Sequence, residues 1–185
     1  MRRTTFVSAL SLVATGLLLA ASAVAGPKGK GDDTFKVHLK GFEEVPVVVT
    51  GATGELHLTI NDAAGTIAYE LTYENLEGDV RQAHIHVGQK NVAGGISLWL
   101  CQTTVNSTPA VSPPGVNTPT CPGPRSGTVS GTLTKENVIG PAGQGIIPAS
   151  QVGLDDVISA IRAGKAYGNV HTSVAPGGEV RGQLH

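Results

Sequence analysis

The stretch AHIHVG, residues 83–88, decides how this chain is read. Ala83, Ile85 and Val87 alternate with His84 and His86. In a pleated strand successive side chains point to opposite faces, so the pattern predicts an apolar face and a face carrying two imidazoles. Side chains two apart on one face stand roughly 6.5–7 Å from each other, twice the residue rise. Imidazoles leaning together from that spacing can share one ion at about 2.0–2.1 Å each. The plainer alternative is a strand whose histidines are solvated and bond across to residues such as Asn169 or Thr172.

A third ligand is needed, and His171 in GNVHT is the best candidate, because Val170 beside it points the other way in another expected strand. If that strand lies beside 80–87, then His84, His86 and His171 meet. Three nitrogen ligands with an open position suit zinc or copper(II).

Outward from the HxH segment the period of two continues. Phe35, Val37 and Leu39 alternate with polar residues, as do Leu56, Leu58 and Ile60, and Ile67, Tyr69, Leu71 and Tyr73. Ile96, Leu98 and Leu100 predict a further strand face, and GTVSGTLT (127–134) another strand. KAYGNVHTS and GEVRGQLH predict a closing hairpin joined by VAPGG. Leu154, Val157, Ile158 and Ile161 instead recur at helical spacing, with Gly164 as the stop. Asp155 and Asp156 are read as first-turn acids complementing the helix dipole, not as a catalytic pair. Many short strands with one helix predict an all-β, antiparallel sandwich.

The chain has 185 residues and a formal net charge of −1. It shows no basic excess or basic run, which argues against nucleic acid. Arg2-Arg3, the apolar run Phe6–Ala20 and the small residues Ala23-Val24-Ala25 predict a signal peptide over 1–25, by ordinary export ahead of the twin-arginine route. A flexible lead follows at 26–33 and one domain at 34–185. The mature chain is expected to be periplasmic or extracellular, with no membrane span. Cys101 and Cys121, two in number in an exported chain, are expected to form a disulfide closing a Pro-rich excursion at 101–125. Arg181 is expected to pair with one of the glutamates before Val45-Pro46, assigned as Glu44. His38, His57 and His185 are expected to be solvated.

FEEVP (42–46), AHIHVG (83–88) and GNVHT…PGGEVRGQL (168–184) together resemble the CHRD domain, which takes its name from chordin and occurs in many exported bacterial proteins. The resemblance covers about residues 34–184, and GPAGQGI (140–146) is similar to the bacterial form. It implies an immunoglobulin-like or superoxide-dismutase-like sandwich, and for chordin an extracellular binder of growth factors. It carries over no catalytic residues. The HxH is also similar to the copper-ligand strand of copper/zinc superoxide dismutases. No histidine lies between His86 and His171, so the bridging ligand of those enzymes has no counterpart here. A single mononuclear copper or zinc is the most this chain can copy.

The leading expectation is therefore an exported binding or structural module without catalytic chemistry, whose partner is an extracytoplasmic protein. The alternative is a metalloprotein holding one copper or zinc ion on three histidines, for sequestration or superoxide-type redox work. A hydrolytic enzyme has no nucleophile–base set in its favour.

Overall fold

A computed structural model describes residues 33–103 and 118–185. The expected signal peptide, the lead up to residue 32 and the middle of the excursion lie outside these residues. Eight strands run in chain order: β1 (Asp33–Lys40), β2 (Thr53–Asn61), β3 (Thr66–Glu74), β4 (Val80–Val87), β5 (Gly95–Gln102), β6 (Gly127–Leu133), β7 (Ala166–Thr172) and β8 (Val180–Leu184). One helix, α1 (Gln151–Arg162), precedes β7. No helix among the described residues is long and apolar enough to cross a membrane.

The strands form one antiparallel sheet in the order β5-β4-β7-β8-β1-β2-β3-β6. Its ends curl toward each other: the Tyr69 hydroxyl on β3 donates to Leu100 O on β5 at 2.6 Å. The result is nearly a barrel. Between β1 and β8 a single registered pair, Lys40↔Arg181, joins two four-stranded halves. The half β1-β2-β3-β6 is continuously laddered, as the full-length register of β1–β2 and β2–β3 shows.

The alternating residues of β1, β2 and β3 behave as their period demands. Leu39, Leu56, Leu58, Ile60, Ile67, Leu71 and Tyr73 are wholly buried. Leu154, Val157, Ile158 and Ile161 turn one face of α1 onto the same core. Ser150 caps the helix by accepting from Gly153 N–H at 3.0 Å. In its last turn Arg162 pairs with Asp33 at 2.6 Å and Asp62 at 2.8 Å, tying the helix end to β1 and the β2–β3 turn. The helix starts earlier than its apolar periodicity suggests. Asp155 and Asp156 therefore fall beyond the first turn, and Asp155 accepts from Gln151 Nε2 instead of facing free backbone N–H groups.

β5 departs from simple alternation. Ser97, Leu98, Trp99, Leu100 and Cys101 are all buried. The β4–β5 register shifts twice, between Ala83/His84 and Ile85/His86, each time with an extra residue on β5. Such bulges kink a strand and re-aim its side chains.

Cys101 and Cys121 are bonded to each other in the core, 20 positions apart in sequence. The chain-entropy argument gives such a closure about 3 kcal/mol of stabilisation. The Cys101→Ala/Cys121→Ala variant should lose roughly that amount in urea unfolding, with a slope equal to or steeper than the parent's because the unfolded chain is released from its cross-link. A loss below about 1 kcal/mol would contradict that origin.

Candidate metal centre

β4 lies between β5 and β7, and the β4–β7 register sets His84 opposite Asn169 and His86 opposite Tyr167. His171 lies two residues beyond Asn169, on the same face of β7. The backbone thus gathers three imidazoles, and ligand nitrogens of His84, His86 and His171 all lie within 4.8 Å of one another. His84 Nδ1 is 3.2 Å from His171 Nε2.

The face they occupy is not the wet outer face that alternation suggests. His84 is fully buried, and His86 and His171 are only 6% and 7% exposed. The connection between β4 and β5 folds back over them. Gly94 N–H donates to the Tyr167 hydroxyl at 3.1 Å, and Arg181 Nη2 donates to Val92 O at 3.1 Å and Gln89 O at 3.4 Å. Gly94 fits because a Cβ there would sit 1.9 Å from Val87 O. Both faces of β7 are buried, one by the core and the other by this connection at Tyr167, by Glu44 at Asn169 and by Pro176 at His171.

Aromatic contacts fix the rings. His86 stacks on Tyr167, with centroids 4.7 Å apart and planes 4° from parallel. The Arg181 guanidinium also lies over the Tyr167 ring, 3.4 Å from its centroid. His84 meets Trp99 edge-on at 4.1 Å.

Backbone carbonyls choose the tautomers. A carbonyl can only accept, so His86 Nδ1, 3.0 Å from Gly94 O, carries a proton, and so does His171 Nδ1, 2.9 Å from Pro176 O. In the neutral rings this leaves Nε2 of each as a lone pair. His86 Nε2 and His84 Nε2 are buried with no hydrogen-bond partner. Burial holds all three imidazoles below their usual range: His84 well below, His86 down to about 4 and His171 lowered. The rings are therefore neutral near pH 7, the form that ligates metal.

The other expected site residues fall as follows. Glu44 is buried, and burial raises its carboxyl above the ordinary range. It accepts from Val45 N–H at 3.3 Å and from Asn169 Nδ2 at 3.5 Å. It forms no ion pair with Arg181, contrary to the sequence expectation, because that guanidinium is held by the β4–β5 carbonyls and Tyr167; its charge acts on Glu44 only through space. Gly178, with φ +126, leaves room for the Glu44 carboxylate, which a Cβ would meet at 2.2 Å.

His38 and His57 are not simply solvated. Both pair with Glu55, as does Lys36 at 2.9 Å, and the hydrogen bonds from His57 and Lys36 hold Glu55 down to about 2. His185 is exposed at the chain end, with Nδ1 2.8 Å from Gln183 O.

Sequence reasoning named Asn169 only as a cross-strand hydrogen-bond partner of solvated histidines and did not single out Tyr167. Both precede His171 at alternate positions on one strand, which was the available signal.

The model of the CHRD domain family matches residues 35–184. No curated protein and no solved structure matches the chain.

Proposed function

The chain belongs to the CHRD domain family, and from that premise we propose an exported binding module that holds one zinc or copper(II) ion on His84, His86 and His171. One observation carries the reading: two of the three imidazoles have Nδ1–H fixed on a backbone carbonyl, which turns buried Nε2 lone pairs toward a common point. Metal-binding histidines are oriented in the same way, by a carbonyl on the far nitrogen. A core histidine serving structure alone would be expected to satisfy both nitrogens, because an orphaned buried polar group costs about 1–3 kcal/mol, yet His84 and His86, though not His171, leave Nε2 without a hydrogen-bond partner. Export is supported by the buried Cys101–Cys121 bond, since such bonds persist in oxidising compartments. The division of the sheet into two four-stranded halves supports the finer reading of an immunoglobulin-like or superoxide-dismutase-like sandwich.

The test uses full-length protein exported by its own leader and purified without a polyhistidine tag. Metal analysis, or titration of chelator-treated protein, should give one equivalent of zinc or copper(II). Metal at 100 times its dissociation constant should add about 2.7 kcal/mol of stability. His86→Ala should weaken binding by more than about 100-fold, beyond what loss of an outer-shell partner typically costs. The reading is wrong if the metal-free protein takes up neither ion, or if His86→Ala binds as tightly as the parent.

A further inference from the structure

We propose that the site is closed by a fourth protein ligand, the side-chain oxygen of Asn169, which makes it a holding site instead of one with a coordination position open to substrate. This rests on the three-histidine reading above.

Asn169 stands opposite His84 in the β4–β7 ladder, two residues before His171 on the same face, and is only 3% exposed. Its Oδ1 lies 3.1 Å from His171 Nε2. With His171 Nδ1–H directed at Pro176 O, the Nε2 facing Asn169 is an acceptor in the neutral ring, and so is Oδ1. Two buried lone pairs thus face each other with no hydrogen between them. Turning the amide over would not help. Nδ2 now faces the buried Glu44 carboxylate at 3.5 Å, and reversal would set oxygen against oxygen there. A cation shared by Oδ1 and Nε2 satisfies both.

The spacing agrees. Ligand atoms bound at 2.0–2.1 Å at tetrahedral angles stand roughly 3.3 Å apart. His171 Nε2 has His84 Nδ1 at 3.2 Å and Asn169 Oδ1 at 3.1 Å. Three imidazole nitrogens with one amide oxygen form a borderline-to-hard set, which suits zinc and copper(II) and gives poor support to copper(I). Such a shell favours retention of one oxidation state over redox cycling. Glu44 acts behind it as a positioning residue, by accepting from Asn169 Nδ2 and keeping Oδ1 turned inward.

The experiment loads the full chain with one equivalent of copper(II) and adds azide, a small anion that enters an open copper position and gives a charge-transfer band. The wild-type protein should give no band. Asn169→Ala should give one, change the copper electron paramagnetic resonance spectrum and bind copper roughly 10–100-fold more weakly, a range typical of lost support around a metal. Asn169→Asp keeps an oxygen in place and should exclude azide again. A band in the wild-type protein, or an unchanged copper spectrum in a folded Asn169→Ala, overturns the fourth ligand while leaving the three-histidine site standing. Wild-type protein that takes up no copper overturns both. The wild-type arm needs no variant, so misfolding of Asn169→Ala does not blunt the test.

Discussion

Replacing Glu179 with alanine should destabilise the protein by about 3–5 kcal/mol, the range of a broken buried polar network. Glu179 is wholly buried immediately before β8. Its Oε1 accepts from the Thr50 hydroxyl at 2.9 Å and from Glu77 N–H at 2.8 Å, and its Oε2 accepts from the Thr172 hydroxyl at 2.6 Å. One carboxylate thus fastens the β1–β2 connection, the β3–β4 connection and the end of β7. Truncation leaves three donors without it and opens a gap that must fill with water or collapse. Glu179→Gln keeps the volume but exchanges one acceptor for a donor, so its cost should be smaller, about 1–2 kcal/mol. Urea unfolding of both variants checks the order. An alanine variant within 1 kcal/mol of the parent would show that the three segments hold without this carboxylate.

Acid should destabilise the metal-free protein well before carboxylate titration is complete. All three site histidines have folded-state values below that of a free imidazole, 6.5. Between the two values the unfolded chain binds more protons than the native one, so stability rises with pH across that window. It is fully present above about pH 6.5 and is lost as pH falls toward the folded values. For His86 the window runs from 6.5 to about 4, which at 1.36 kcal/mol per unit amounts to about 3 kcal/mol. His84 and His171 add to it with the same sign. Glu44 has the opposite sign, because its raised value favours the native state as it takes up a proton. The histidines outnumber it. Urea unfolding at pH 7.5 and pH 4.5 in the presence of chelator should therefore differ by 3 kcal/mol or more, the lower value at acid pH. Equal stabilities at the two pH values would contradict neutral burial of the three rings. Bound metal should steepen the acid loss, since protons compete for the same lone pairs.

Much of the fold was written in the period of two. Leu56, Leu58 and Ile60, or Ile67, Leu71 and Tyr73, are buried because alternation leaves them one apolar face to share. The helix was equally legible, its four apolar positions covering one face. The gathering of His84, His86 and His171 was readable as far as strand sidedness goes. Their burial was not. It depends on the return of residues 88–94 to His86, secured by Tyr167 and Arg181, on Trp99 against His84 and on Pro176 beside His171, and no local pattern announces these contacts. The two bulges of β5 were hidden for a related reason. Ser97 and Trp99 alternate with Ile96, Leu98 and Leu100, and the register shifts go with their burial as well. The Glu44–Arg181 pairing failed because opposite charge alone does not choose a partner. Arg181 found two carbonyls and an aromatic ring, and Glu44 an amide.

The cysteine bond has an evolutionary consequence. It draws the two ends of the excursion into a neck, where Gln102 N–H donates to Pro119 O at 3.0 Å and Cys121 N–H to Gln102 O at 3.3 Å. With the neck fastened, doubling the enclosed length would cost only about 0.6 kcal/mol in closure entropy. The chain between the two cysteines is therefore free to change in length at little cost to the strands on either side.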